Sequence, residues 1–319
     1  MTGYSMTTML LSRIIPFCAI ACAGGKTDLS DTAEAGNQSH SPADTETGEE
    51  TEDDPPMEPV EVDYRLPGPH TTSTSSLTLS ASCDSATQVI APSTSGTWPR
   101  VLLSHGFMRG PAQMIGWAEH MASWGIEVVV PTLCHASIID TDHAQNGTDL
   151  TQFNDAMGGG EVIYIGHSAG GLASLVAASE DDNAIGLIGL DLTDAEGLGL
   201  ARAGGVSAPT LSVAGEANSC NSEGNGVDAL RAVPDTTILR LAEADHCDFE
   251  NETNALCTTF CSAPGSTFSD SDIHNTLLGL LTAATVSLAE QDPDAEAMWW
   301  TAGGTFYDGL SNTGAVIPL

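Results

Sequence analysis

Residues 161–179 read EVIYIGHSAGGLASLVAAS, and the reading of the fold starts from them. Glu161 to Ile165 is a short β-branched and apolar run, the pattern of a buried strand. Leu172 to Ser179 has the small and apolar content of a helix packed closely on a sheet. Between them lies Gly166-His167-Ser168-Ala169-Gly170, a G-x-S-x-G turn that reverses strand into helix and leaves the serine hydroxyl exposed. The glycines have a mechanical reason: a Cβ at Gly166 or Gly170 would collide with the neighbouring strand or helix as the backbone doubles back. A strand before and a helix after are what lift this motif above chance.

The same alternation runs outward in both directions. Upstream, Thr71 to Ser82 and Ala86 to Ala91 read as antiparallel edge strands. Val101 to Ser104 reads as a buried strand and Ile115 to Trp124 as an amphipathic helix stopped by Gly125. Glu127 to Val130 reads as the next buried strand. Downstream, Ala184 to Leu190, Thr210 to Ala214 and Thr237 to Leu241 read as strands, and His274 to Ala289 as a final helix opened by Asp272. Apolar strands alternating with helices predict an α/β fold, a doubly wound and mainly parallel sheet, over residues 64–292. Residues 293–319, with Trp299-Trp300, are left as a C-terminal tail expected to pack on that domain.

Charge and cysteine content narrow the setting. The chain carries 43 acids against 8 bases, a formal charge of -35, which excludes nucleic acid as a partner. Eight cysteines without a CxxC pair point to an oxidising compartment. Residues 1–22 resemble an export signal: Arg13 precedes the short apolar stretch Ile14 to Ala21, too brief to span a bilayer. Ala19-Ile20-Ala21-Cys22 fits either ordinary cleavage or a bacterial lipobox, which would lipidate Cys22 and make it the one membrane attachment. From Thr27 to Asp63 there are 13 acids and no Lys, Arg or aromatic residue, so residues 23–63 are expected to be a disordered acidic tether.

A serine that attacks a carbonyl needs a base to take its proton and an acid to orient that base. Of the nine histidines, only His246 follows the last strand and precedes the last helix, where such a base belongs. His105 and His167 sit inside the two site turns and are expected to support backbone. Three carboxylates stand after strands: Asp191 and Asp194 after Ala184 to Leu190, and Glu216 after Thr210 to Ala214. The two N–H groups of an oxyanion hole would come from Ala169, directly after the serine, and Phe107, with Met108 as the alternative. Phe107 is also placed to line an acyl pocket.

Ser104-His105-Gly106-Phe107, the stretch Ala122 to Pro131, the Gly-His-Ser-Ala-Gly-Gly turn and Leu190-Asp191 together resemble the chlorophyllase-like and platelet-activating-factor-acetylhydrolase-like α/β-hydrolases. Those families carry the acid in a leucine–aspartate step, so the resemblance ranks Asp191 above Glu216, while Asp191 stands nearer the strand end than Asp194. His246-Cys247 resembles polyester hydrolases of the cutinase type. That likeness implies a Cys220–Cys247 disulfide bracing the histidine loop, although the acid of those enzymes would fall at Asn218, which cannot serve. Cys257–Cys261 is then expected as a small local ring, and Cys83–Cys134 remains by elimination.

These readings predict an exported serine esterase or lipase of the α/β-hydrolase fold, with Ser168, His246 and Asp191 as triad and Phe107 and Ala169 as oxyanion hole. The substrate is expected to be a small-molecule or polymeric ester, and the chemistry needs no cofactor or metal. Asp140-Thr141-Asp142-His143 and Ser269-Asp270-Ser271-Asp272 are oxygen-rich, but loop solvation and helix capping explain them more simply than a cation. A peptidase or amidase using the same triad is the first alternative. A tethered surface-binding protein that keeps the fold without the activity is the second. The segment Leu133 to Leu150 reads as a largely polar loop beside the site rather than a large lid.

Overall fold

The computed structural model describes residues 61–262 and 265–319. The 1–22 signal, Cys22 and residues 23–60 of the expected tether lie outside them.

The described chain begins with a hairpin, β1 (Thr72–Ser80) against β2 (Asp84–Pro92), then β3 (Arg100–Ser104), α1 (Ile115–Ser123) and β4 (Glu127–Pro131). A two-residue hairpin, β5 (Ala136–Ser137) with β6 (Asp140–Thr141), leads into α2 (His143–Ala156). Next come β7 (Val162–His167), α3 (Ala169–Glu180), β8 (Ala184–Leu190), α4 (Leu198–Arg202), β9 (Thr210–Ala214), α5 (Gly226–Arg231) and β10 (Thr236–Leu241). The chain closes with α6 (Ala255–Phe260), α7 (Asp270–Leu288), α8 (Ala295–Trp299), α9 (Thr305–Thr313) and β11 (Val316–Pro318).

Nine strands form one sheet in the order β1-β2-β4-β3-β7-β8-β9-β10-β11. The six central strands run parallel, and β2 and β11 join antiparallel at the two sides. The fold is therefore α/β with a mostly parallel sheet. Side chains alternate across it: Val101, Leu103, Ile163 and Ile165 pack with Trp117 of α1 and Leu277 and Leu281 of α7 on one face. Leu102, Val162 and Tyr164 pack with Leu150 and Phe153 of α2 and Leu175 of α3 on the other. Each such fully buried side chain contributes about 1.5–3 kcal/mol over leaving it in water. Every strand from β3 to β10 in the parallel set ends toward the same edge, where loops of an α/β sheet gather functional groups.

Several elements differ from the sequence reading. The strand before the serine runs on through His167 rather than ending at Ile165. Residues 143–156, expected within a loop, are a helix: Asp142 caps it by accepting from the Gln145 N–H at 3.0 Å. Its buried face mixes Leu150 and Phe153 with Asn146, Asp149 and Asn154, which hides the apolar period. Gly147 lets it touch α3, since a Cβ there would stand 2.4 Å from Val176. The cap of α7 is Ser269, with Asp272 reaching back as its capping-box partner.

Residues 293–319 are part of the sheet and its cover, not an appendage. Val316 pairs with Leu241, and Trp300 donates from Nε1 to the Leu280 carbonyl at 3.0 Å. Trp299 is fully buried against α7, which bears Gly279 at the contact because a Cβ would stand 2.1 Å from the ring. Trp299→Ala is therefore expected to lower stability by about 3–5 kcal/mol, read as a shift of the urea midpoint with no change in the folded circular-dichroism spectrum.

Candidate active site

Ser168 occupies the turn between β7 and α3 with φ 56° and ψ -122°. A positive φ is costly for a residue with a Cβ and persists where surroundings over-determine it. Here the Ser168 N–H donates to Leu190 O at 3.0 Å, and its carbonyl accepts from Leu172 and Thr193 at 3.2 and 3.3 Å. A Cβ on Gly166 would lie 2.3 Å from Gly170 O, and one on Gly170 would lie 2.4 Å from His105 O. Only glycine fits either position.

One of the three strand-end carboxylates meets the imidazole. His246, in the loop after β10, donates from Nδ1 to Asp191 Oδ2 at 2.5 Å, with both side chains buried. Asp191 stands at the end of β8 with φ 45°. Its carboxylate also accepts from the Gly215 N–H at 2.9 Å and from Asn221 Nδ2 at 3.2 and 3.1 Å. Asp194 instead accepts from the Gly199 and Leu200 N–H groups at the start of α4. Glu216 accepts from the Glu243 N–H and lies 3.8 Å from Arg240 at the surface. Neither reaches the imidazole.

Ser168 and His246 line one cleft of about 350 Å³, walled by the loop Gly106–Arg109 and by α6. Phe107 lines this cleft, and Ala169 directly follows Ser168 at the start of α3. Neither Phe107 nor Ala169 donates its N–H to an acceptor among the described residues. The Met108 N–H is spent on Ala136 O at 2.8 Å, which removes the alternative. The loop is pressed on the serine, for a Cβ at Gly106 would lie 3.2 Å from Ser168 Cβ.

Two histidines shape this site without a partner carboxylate. His105 donates from Nδ1 to Gly106 O at 2.8 Å and accepts the Leu133 N–H on Nε2 at 3.0 Å. That tautomer leaves no room for a second proton, and burial pushes its pKa down to about 4. His167 is fully buried 4.5 Å, ring centre to ring centre, from His246. Burial first, and then the neighbouring His246, hold it well below the usual imidazole range.

Sequence reasoning missed Asn221 and the pair Arg109–Glu250. Asn221 is completely buried, and its amide oxygen accepts from the Asn218 and Gly224 N–H groups while its nitrogen holds Asp191. Arg109 forms a two-pronged pair with Glu250 across the cleft, both contacts at 2.5 Å, with side-chain exposures of 9% and 1%. No local motif marks either one; each is found only once the loops meet.

The disulfides correct two expectations. Cys83–Cys134 forms as expected, but Cys220 pairs with Cys261 and Cys247 with Cys257. Cys257 and Cys261 stand one turn apart along and just past α6, where side chains four apart sit about 5–6 Å from Cβ to Cβ. A disulfide needs roughly 3.5–4.5 Å, so the local ring is ruled out. The Sγ atoms of Cys247, Cys257 and Cys261 all lie within 4.8 Å of one another, and the helix decides which bond forms. The oxygen-rich segments act as caps and pairs: Asp142 caps α2, Asp140 binds His135 at 2.7 Å, and Ser269–Asp272 cap α7.

Folded His105 takes up a proton only near pH 4, whereas the unfolded side chain does so near 6.5. The unfolded state binds the extra proton between those values, so this contribution is complete above pH 6.5 and falls by up to about 3 kcal/mol toward pH 4. Asp248, raised to about 6 by burial, runs the other way and binds its proton in the folded state. Urea midpoints at pH 7 and 4.5 should therefore fall less steeply in His105→Gln than in the unaltered chain.

No family model matches the chain, and no curated protein matches it.

Proposed function

We propose that this chain is an exported serine hydrolase of the α/β-hydrolase fold that cleaves carboxylic esters. The observation that carries the reading is the convergence on one cleft of a strained Ser168 and an imidazole bonded to a buried carboxylate, beside the uncommitted N–H groups of Phe107 and Ala169. Ser168 Oγ attacks the ester carbonyl while His246 Nε2 takes its proton. Asp191 fixes the imidazole as the Nδ1–H tautomer and stabilises the imidazolium that forms. The Phe107 and Ala169 N–H groups receive the developing oxyanion. His246 then returns the proton to the departing alkoxide, and the acyl-enzyme is hydrolysed when the same imidazole deprotonates water. No step calls for a cofactor.

Three disulfides support a life in an oxidising compartment, and no helix among the described residues is long and apolar enough to cross a membrane. Export, with lipidation at Cys22, fits both. The cleft lining supports an ester over a charged peptide: its walls are mainly apolar, and the Arg109 charge in them is neutralised by Glu250.

Hydrolysis of p-nitrophenyl acetate tests the reading. Ser168→Ala should lose activity to background and Asp191→Asn should lose about 10⁴-fold in kcat. Asp194→Asn and Glu216→Gln should stay within a few-fold of the unaltered chain, and equal losses at Glu216 would move the acid there. A folded chain that cleaves no ester and leaves Ser168 unlabelled by a fluorophosphonate would overturn the assignment.

A further inference from the structure

The short helix α6 contributes little to the core, for of its six residues only Cys257 is buried. It is nevertheless tied to three separate site loops. Cys257 is bonded to Cys247, next to His246, and Cys261, just past the helix, to Cys220, beside the Asn218–Asn221 turn that holds Asp191. Asn254, which caps the helix by accepting the Leu256 N–H at 3.0 Å, also accepts from Arg109 Nη1 at 3.1 Å, on the loop carrying Phe107. A helix that buries almost nothing is held by two covalent bonds and a charge-assisted hydrogen bond.

What that anchoring fixes in space is apolar. Leu256 and Phe260 line the cleft yet remain 47% and 73% exposed, and across from the serine Phe107 and Met108 are 36% and 46% exposed. Exposed large apolar groups gathered at one mouth mark a binding surface. We propose that Leu256 and Phe260 form a standing subsite for the uncharged hydrocarbon portion of the ester cleaved at Ser168. The inference rests on the esterase reading above. The occupant is apolar because the lining is, and uncharged because Arg109 and Glu250 cancel each other beside it and the chain's formal charge of -35 repels anions. The three ties keep the subsite formed before substrate arrives, so no opening step precedes binding.

The experiment compares ethyl acetate, methyl hexanoate and hexyl acetate by pH-stat with the full chain, Leu256→Ser/Phe260→Ser and Leu256→Met/Phe260→Tyr. Both positions are exposed, so folding is retained. The unaltered chain should prefer a six-carbon ester to ethyl acetate, and the serine variant should lose about tenfold or more of that preference in kcat/KM. The Met/Tyr variant, which keeps the apolar surface, should retain it. Loss with methyl hexanoate alone places the acyl chain on α6, and loss with hexyl acetate alone places the alcohol there. Equal loss on all three esters, no loss on any, or no six-carbon preference in the unaltered chain would overturn the subsite while leaving the esterase reading intact. Absence of all ester hydrolysis and of fluorophosphonate labelling would bring down both.

Discussion

The contact of backbone with backbone at the serine turn is the constraint on which the rest depends. The end of β3, the end of β7 and the start of α3 meet with no side chain between them. The Ser104 and His105 carbonyls stand within 2.5 Å of where a Gly170 Cβ would be, and Gly170 O stands 2.3 Å from where a Gly166 Cβ would be. This approach forces Ser168 into its positive-φ conformation at a cost on the order of 1–3 kcal/mol. Three backbone hydrogen bonds to β8, α3 and the loop after β8 offset it. It also brings the loop that carries Phe107 against the start of α3, 62 residues further along the chain at Ala169.

The remaining parts are held by ties between loops, each closing a different pair. Asn221 joins the loop after β9 to Asp191, and Glu216 N–H joins it to the Ala244 carbonyl before His246. Arg109 joins the loop after β3 to Glu250, four residues past His246, and the Trp117 indole donates to Phe249 O at 3.0 Å. A buried pair such as Arg109–Glu250 adds little net stability over an apolar substitute, but removing one partner alone costs about 3–5 kcal/mol. Its value is in register: it fixes where the histidine loop stands relative to the loop carrying Phe107. Loops on a rigid scaffold carry function only when something fixes them, and here that work falls to amides, one ion pair and two disulfides.

How much of this was legible follows from the range of each interaction. The central strands and the serine turn are written in contiguous apolar runs and in glycines whose need is local, so the sequence read them directly. His246 and the three candidate carboxylates could be singled out because strand ends can be counted along the chain, whereas only the meeting of loops brings Asp191 to the imidazole. What stayed hidden depends on partners far apart. Asn221 lies 30 residues from Asp191, Glu250 lies 141 from Arg109, and an isolated asparagine or glutamate in a loop carries no periodic signal. The helix at 143–156 was masked because its inner face spends Asn146, Asp149 and Asn154 on hydrogen bonds to neighbouring loops instead of on apolar packing. β11 is only three residues long, below what alternation can reveal.

Electrostatics bind these features into one argument. A chain of formal charge -35 is a poor place to build an anion, yet the proposed reaction creates one at Ser168. The compensation has to be local. The start of α3 points its N–H groups and the positive end of its dipole at the serine, which is itself buried, so water screens that field less there. His105 and His167 add no competing charge, because burial keeps both neutral. Arg109 is already matched by Glu250, so its charge is not free to act on the serine. The acidic surface then has a consequence of its own: its field pushes the carboxylate released by ester cleavage away from the protein, whereas an uncharged ester meets no barrier on the way in.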